Sequence, residues 1–274
     1  MMKITRITTQ KSNQHRYNIY LTDGDQEEFG LSVDENTLIK FNLRKGMELS
    51  QEDIERIKSA DNIEKSYHDA LRYLSYRMRT TKELRDYLQK KTIQAEHIEE
   101  IINRLTELDL LNDQQYANMY VTSKICAGTK GPRYIYNELV KKGIPETMID
   151  QALQQYSYTM QLKHATTIAE KRLNRESKHA YQKQLNLVKA YLQRNGFTSE
   201  VIGEALASFQ NQHDDEQEWA AILYHGEKLW NRYSKRFTGA TLLDKVKAGL
   251  YRQGFSIEDI NKFISHYREE NSIH

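Results

Sequence analysis

Four segments of this chain carry the same pattern of apolar residues around one marker residue. Each segment follows the form apolar-x3-Leu-x3-Gly/Thr-apolar-x4-Ile, and the register continues into further apolar positions. The marker is Thr92, Gly143, Gly196 and Gly254 in turn. A repeat of roughly fifty residues indicates one supersecondary unit copied in tandem. Because stacked units contact mainly their neighbours, they present a long surface and not one enclosed pocket.

Each unit is predicted to contain three helices. The marker glycine is expected to end the second helix in the left-handed conformation and so to allow a sharp corner. Thr92 replaces glycine in the first unit, which predicts a looser or differently shaped corner there. Helix starts are indicated by Ser50, by Asn112, and by Thr80 with Glu83 three residues later, a capping box.

The first fifty residues are predicted to form strands, because apolar and polar residues alternate there. The dipeptide Asp23-Gly24 predicts a two-residue hairpin turn with positive φ at both positions. Residues 38–43 supply a further apolar element before the helical region. The alternating apolar positions are Tyr17, Ile19, Leu21, Phe29, Leu31 and Val33.

The predicted fold class is therefore mostly α, with tandem three-helix repeats in an elongated curved array behind a small N-terminal β module. The predicted domains are 1–60 (β-hairpin module and linking helix), 61–111 (repeat 1), 112–158 (repeat 2), 159–213 (repeat 3) and 214–274 (repeat 4).

Composition narrows the class of function. Of the 274 residues, 38% are hydrophobic and 28% are charged, and no run approaches the ~18 apolar residues of a membrane span. The N-terminus shows no signal-peptide pattern. One cysteine, Cys126, cannot form an internal disulfide, which favours the reducing cytoplasm. The formal net charge of +2 is too small to indicate a strongly basic nucleic-acid binder.

The sequence offers little catalytic chemistry. The nine histidines are scattered without metal-ligand spacing, and the glycines form no phosphate-binding motif. Cys126 is interpreted as a small packing residue with no base beside it. We therefore predict no catalytic residues, no metal and no cofactor, and we expect that the chain is not an enzyme.

Cations cluster at the helix ends and support two interpretations. Lysine pairs at positions 90–91 and 141–142 end the second helices of repeats 1 and 2, and Arg194 and Arg252 hold matching places later. A cation there stabilises the helix dipole by roughly 0.3–1 kcal/mol. The alternative is a row of positive charges that contacts phosphates or an acidic protein groove. Arg77 and Arg79 precede a helix, where the dipole gives them no stabilisation.

Two stretches of sequence resemble the RecX family of recombination regulators. The first is Tyr-His-Asp-Ala-Leu-Arg-Tyr-Leu-Ser-Tyr-Arg-Met-Arg-Thr-Thr-Lys-Glu-Leu, at residues 67–84. The second comprises residues 110–117, 130–139 and 142–144, with Lys-Gly-Pro-Arg-Tyr at its centre. Both occur in the family's order in adjoining repeats. The chain departs from the family pattern at Thr92, where glycine is more usual, and it resembles the longer members.

The resemblance implies a cytoplasmic, non-enzymatic negative modulator of RecA recombinase. Family members act on the RecA filament on single-stranded DNA, and they are thought to lie in its groove and to suppress strand exchange, ATP hydrolysis and coprotease activity. We expect a monomer that binds this filament, with weak contact to single-stranded DNA and none to a membrane. The candidate partner-binding residues are Arg72, Arg77, Arg79, Lys82, Lys90, Lys91, Arg133, Lys141, Lys142 and Arg194.

An alternative interpretation is a direct DNA-binding protein. Three-helix units are similar to helix-turn-helix modules, in which one helix enters the major groove. That function predicts tight binding to naked DNA with a steep dependence on salt. The near-neutral net charge argues against it, because an autonomous DNA binder usually has a strongly basic face.

Overall fold

The structure is a computed structural model that describes residues 1–11, 13–24, 26–175, 178–210 and 214–270. It divides into two compact units. The first comprises Met1–Tyr116 with Lys142–Ile144, and the second comprises Ala117–Lys141 with Pro145–His274. Within the described ranges, no helix has both the length and the apolar character that crossing a bilayer requires.

A four-stranded antiparallel sheet opens the chain. Alternate side chains of its strands are buried on one face, among them Ile4, Ile19 and Val33, as the sequence pattern predicts. The spatial order is β3-β2-β1-β4. The strands are β1 (Met2–Thr9), β2 (Arg16–Thr22), β3 (Glu27–Asp34) and β4 (Glu48–Leu49).

The hairpin between β2 and β3 is confirmed, but its predicted two-residue turn is wrong. The last pair of the ladder is Thr22 with Glu27, so residues 23–26 connect the strands, and residue 25 lies outside the described ranges. Only Gly24 of the predicted pair has positive φ, at +137°. The extra apolar element, which follows β3, is a short helix, α1 (Glu35–Lys40), which Asp34 caps.

Helices make up the rest of the described chain and confirm the mostly α class, in four successive groups of three. The bounds of the predicted domains stay predictions, and residue 213, at the end of predicted repeat 3, lies outside the described residues. The helices are α2 (Gln51–Ser75), α3 (Thr81–Gln89), α4 (Ala95–Glu107), α5 (Asp113–Ala127), α6 (Pro132–Lys141), α7 (Glu146–Leu153), α8 (Tyr158–Leu173), α9 (Tyr181–Arg194), α10 (Ser199–Ala207), α11 (Asp215–Tyr233), α12 (Gly239–Gln253) and α13 (Ile257–Glu270).

Helix α2 packs against both the sheet and the other helices of the first group. It starts at a capping box formed by Ser50 and Asp53 and runs for 25 residues without a break. Ile57, in its N-terminal half, joins the core of the sheet, whereas Tyr67 and Ala70 join the core of α3 and α4. The predicted linking helix and the predicted first helix of repeat 1 are therefore one helix.

The repeated apolar positions form the cores of the helical groups, as predicted. Their side chains are at most 4% exposed, so each group buries the same stripe. Loss of such apolar surface from water is the main favourable contribution to folding. In register, these residues are Leu84, Leu88 and Ile98; Ile135, Leu139 and Ile149; Val188, Leu192 and Ile202; and Val246, Leu250 and Ile260.

All four corners have the same left-handed backbone. The φ angles are +79° at Gly143, +85° at Gly196, +97° at Gly254 and +58° at Thr92. The N–H of Thr92 donates to the carbonyl of the residue three before it at 3.0 Å, as Gly196 does at 2.9 Å. The expectation of a differently shaped corner at Thr92 is therefore wrong.

Glycine is favoured at two of the later corners, Gly143 and Gly196, by close contact as well as by φ. A Cβ atom on Gly143 would lie 2.7 Å from Cβ of Lys82, and one on Gly196 would collide with the backbone nitrogen of Tyr134. At Gly254 the nearest atoms, on Lys183, would be 3.5 Å away, an ordinary contact. Thus the corners at Gly143 and Gly196 pack tightly against the start of the second helix in the preceding repeat.

Candidate partner-binding surface

The ten cations predicted to contact a partner differ in exposure and in bonding. The side chains of Arg79 and Lys142 are half-buried, and the other eight residues are exposed. A partner can reach the exposed charges without unfolding the chain. The half-buried pair already lies against other side chains of the protein.

Arg77 and Lys142 meet at one carboxylate, that of Glu83. Nζ of Lys142 lies 2.8 Å from Oε1 of Glu83, and Nη2 of Arg77 lies 3.3 Å from the same oxygen. Glu83 also completes the predicted capping box, because its side chain accepts from the N–H of Thr80. These contacts fix the start of α3, so Lys142 has a structural task here.

The electrostatics of this cluster favour the ionised carboxylate. Burial acts to raise the pKa of Glu83, but hydrogen bonds from Lys142 and Arg77 outweigh it and hold that pKa below its usual value. Burial likewise acts to lower the pKa of Lys142, and the bond to Glu83 raises it above the usual value. Both groups therefore stay charged at neutral pH.

Arg79 and Lys91 flank a pair of stacked tyrosines. The rings of Tyr73 and Tyr87 lie 4.1 Å apart and are parallel within 1°. Cζ of Arg79 lies 4.2 Å from the centre of the Tyr73 ring, and Nζ of Lys91 lies 5.2 Å from that of Tyr87. Lys91 is also paired with Asp69. Cation–π contacts of this kind hold both cations in place.

Every corner has an exposed cation two residues before it. These corner cations are Lys90, Lys141, Arg194 and Arg252. Lys141 pairs with Glu138 on its own helix at 2.9 Å, and Nε of Arg252 donates to the carbonyl of Ala248 at 3.2 Å. Arg252 was not among the predicted partner-binding residues, although the repeat register places it with the other three.

The residue directly before each of the last three corners contacts another side chain of the protein and does not point into solvent. Lys142 binds Glu83, as above, and Asn195 accepts from Nζ of Lys130 at 2.8 Å. Gln253 accepts from Nζ of Lys183 at 2.6 Å. Neighbouring helix positions point about 100° apart, so one residue serves the internal contact and the residue before it stays in solvent.

The remaining predicted residues are spread over separate places. Arg72 lies on α2, with Nη1 3.9 Å from Oδ1 of Asp69. Lys82 is the second residue of α3 and packs its stem beside Gly143. Arg133 is the second residue of α6, and its backbone N–H donates to the carbonyl of Gly196 at 3.0 Å. These three residues therefore do not share the register position of the corner cations.

Metal-ligating groups meet at one place among the described residues. Asp34, Glu64 and His68 have ligand atoms within 4.8 Å of one another. Their atoms already have partners, because Nε2 of His68 lies 3.2 Å from Asp34, and Arg104 lies 2.7 Å from Glu64. We interpret this group as a structural contact between the end of β3 and α2.

The single cysteine corrects one expectation. Cys126 is exposed, so it is not the small packing residue that the sequence suggested. The half-buried His164 bonds Tyr156, whose hydroxyl lies 2.8 Å from Nδ1, and burial raises the pKa of Tyr156 to about 12. Burial also lowers the pKa of His164. This pair links α8 to the segment that follows α7.

Comparison with known families agrees with the repeat. The model of the regulatory protein RecX N-terminal domain matches residues 2–50. The models of the first and second three-helix domains of RecX match residues 67–105 and 112–153. The model of the third matches twice, over residues 160–206 and 215–264. The chain belongs to the RecX family.

Full-length relatives carry the same description. The chain is 43% identical over 265 residues to a "Regulatory protein RecX" of Oceanobacillus iheyensis, covering 96% of this chain and 97% of the relative. It is 39% identical to one of Halalkalibacterium halodurans, covering 97% of this chain and all of the relative. The RecX relatives are thus named as regulatory proteins.

Two solved RecX structures share the fold. The crystal structure of a regulatory protein RecX is 37% identical with a TM-score of 0.68, covering 73% of this chain and 97% of that one. The RecX from Lactobacillus salivarius is 40% identical with a TM-score of 0.52, covering 54% of this chain and 97% of that one.

Proposed function

We propose that this RecX-family chain is a negative modulator of RecA recombinase. It binds in the groove of the RecA filament on single-stranded DNA and inhibits strand exchange, ATP hydrolysis and coprotease activity. It acts in the cytoplasm as a monomer, by binding and not by catalysis. Membership of a family of regulatory proteins supports the regulatory part of this proposal.

The observation that carries the binding part is the exposed cation before each corner. Lys90, Lys141, Arg194 and Arg252 recur once per repeat at one register position and are exposed. A charge that recurs once per repeat suits a partner that also repeats, such as a filament of identical protomers. Charge of this kind raises the rate of association and fixes orientation more than it adds affinity.

The test is RecA-dependent ATP hydrolysis on single-stranded DNA, with and without this protein. A triple variant carries Lys90→Glu, Arg194→Glu and Arg252→Glu. We expect it to need at least a ten-fold higher concentration for the same inhibition (~1.4 kcal/mol). The control carries Lys40→Glu, Lys171→Glu and Lys262→Glu, which make the same change of charge at other exposed positions. Equal activity of the two variants would show that the corner cations are not the contact.

A measurement of binding to naked single-stranded DNA separates the proposed function from the alternative of direct DNA binding. A DNA binder would hold naked single strands tightly, and its affinity would fall steeply with salt. The proposed modulator binds the filament far more tightly than naked DNA. Wild-type protein that leaves the filament's ATP hydrolysis, lifetime and sedimentation unchanged would refute the proposal.

A further inference from the structure

In repeats 3 and 4 the second and third helices border a groove, and one register position on the groove edge has different partners in the four repeats. This position lies seven residues before the corner. The third helix faces it with the residues three and seven places after the corner. The edge residue is Arg85, Tyr136, Lys189 and Lys247 in repeats 1 to 4.

In repeat 1 the edge residue is bound by the protein's own carboxylate. Nε and Nη2 of Arg85 lie 2.9 and 3.0 Å from the two oxygens of Glu99, seven residues after the corner. Such a two-bond arrangement is the strong form of a cation–carboxylate contact. The hydrogen bond to Glu99 raises the pKa of Arg85.

In repeat 2 the edge residue, Tyr136, is likewise bound by a carboxylate of the protein itself. The hydroxyl of Tyr136 bonds Glu146, three residues after the corner, and this bond raises the pKa of Tyr136. Asp150, seven residues after the corner, adds a second negative charge nearby. In both of the first two repeats the edge residue is thus bound by an acidic side chain of the third helix.

Repeats 3 and 4 keep a cation on the edge but lack the acid. The positions of Glu99 and Asp150 are taken by Gly203 and Asn261. Among the described residues, neither Lys189 nor Lys247 lies in ion-pair contact with a carboxylate. The two grooves are open, with volumes of about 520 Å³ in repeat 3 and 390 Å³ in repeat 4.

The groove of repeat 4 also has an apolar rim. Tyr251 is 64% exposed and Ile257 is 66% exposed, and Ile260 forms the buried floor between them. Exposed apolar side chains grouped around a groove are typical of protein-binding sites. In repeat 3 the matching rim residues are Gln193 and Ser199, so that groove is polar.

We propose that the groove between α12 and α13 binds an acidic segment of a partner protein. A carboxylate of the segment pairs with Lys247, as Glu99 pairs with Arg85 in repeat 1. A neighbouring apolar side chain lies between Tyr251 and Ile257. The apolar rim favours a protein segment over a phosphate chain. This contact extends the proposed function, but it can be tested without the recombinase.

The test uses a short labelled peptide in which Glu alternates with Leu, and it measures fluorescence anisotropy with the full-length protein. Asn261→Glu places a carboxylate where repeat 1 has Glu99, so it should close the groove and weaken peptide binding about ten-fold. Asn261→Gln is the matched control and should bind like wild type. Tyr251→Ala should weaken binding without unfolding the exposed site, which circular dichroism checks.

Two further probes sharpen the result. A peptide with Lys in place of Glu should not bind, and a single-stranded oligonucleotide should bind equally to wild type and to Asn261→Glu. The proposal is overturned if wild type does not bind the Glu-Leu peptide, or if Asn261→Glu binds that peptide as tightly as wild type. It is also overturned if Asn261→Glu weakens binding of the oligonucleotide as much as it weakens binding of the peptide. Wild type that binds the peptide but not the RecA filament would refute the proposed function and leave this contact standing.

Discussion

Nζ of Lys142 lies 2.8 Å from Oε1 of Glu83, a residue 59 positions earlier in the chain. The carbonyl of the same lysine accepts from Oγ1 of Thr80 at 2.8 Å. Lys142 thus holds its corner to the start of α3 through both backbone and side chain. Its neighbour Lys141 has a side chain that is 73% exposed, and it bonds Glu138 on the surface of its own helix.

Replacement of Lys142 should therefore destabilise the protein more than replacement of Lys141. We expect Lys142→Met to lower the free energy of unfolding by about 1 kcal/mol, because Glu83 loses a half-buried partner. Lys141→Met removes an exposed pair and should change it by less than about 0.5 kcal/mol. Urea unfolding followed by circular dichroism measures both. Equal effects would mean that the contact with Glu83 adds nothing to stability.

The same pair makes stability depend on pH in acid. The pKa of Glu83 is lower in the folded chain than its usual 4.5, so its contribution is fully present above that value. The contribution is lost as pH falls through the folded pKa. Unfolding by urea from about pH 6 to about pH 3 should show a steeper loss in wild type than in Glu83→Gln. Parallel curves for the two proteins would contradict the assignment.

Asp61 should be the most costly carboxylate to remove from α2. It is 2% exposed, and it accepts from Nη2 of Arg16 at 2.9 Å and from the N–H of Asp34 at 2.7 Å. Asp61→Asn leaves the guanidinium of Arg16 without its charge partner, and we expect a loss of about 3 kcal/mol. Asp69→Asn on the same helix should cost less than about 1 kcal/mol, because its cationic partners are exposed.

Thermal or urea unfolding compares these two aspartate variants directly. The contact between Asp61 and Arg16 joins α2 to the sheet. Its loss should therefore also move the unfolding transition of the sheet to lower temperature or lower urea concentration. A cost for Asp69→Asn as large as that for Asp61→Asn would show that burial does not decide the effect.

Local structure could be predicted from the sequence where the two interacting residues lie in the same short segment. The capping boxes at Ser50 and Thr80 need residues only three positions apart, and the apolar stripe needs only helical periodicity. The hairpin turn failed because its length depends on strand register, which the dipeptide Asp23-Gly24 does not determine.

The candidate surface was only partly predictable, because its bonding is long-range. The sequence shows two adjacent lysines at 141 and 142, but only the fold shows that one binds Glu83 and the other faces solvent. The matched positions of Arg252 and Lys247 were visible in the repeat register. Their open surroundings were not, because the facing residues come from another helix.

Gly196 provides the sharpest test of the packed corners. It has φ +85°, and a Cβ atom there would collide with the backbone of Tyr134, which cannot move as a side chain does. Gly196→Ala should therefore cost more than about 2 kcal/mol, from backbone strain and overpacking together. A Cβ atom added to Gly203, on α10, would meet no neighbour within 4 Å, so Gly203→Ala should stabilise the protein by about 0.5–1 kcal/mol.

Thr92→Gly completes the comparison, because Thr92 has the same left-handed backbone at φ +58°. Glycine adopts this conformation without strain, although it also loses more entropy on folding, so the change should stay within about 1 kcal/mol. Urea unfolding measures the stability of the three variants. We expect Gly203→Ala to be the most stable, Thr92→Gly to be intermediate and Gly196→Ala to be the least stable. If Gly196→Ala were as stable as Gly203→Ala, the close contact between that corner and α6 would not exist in solution.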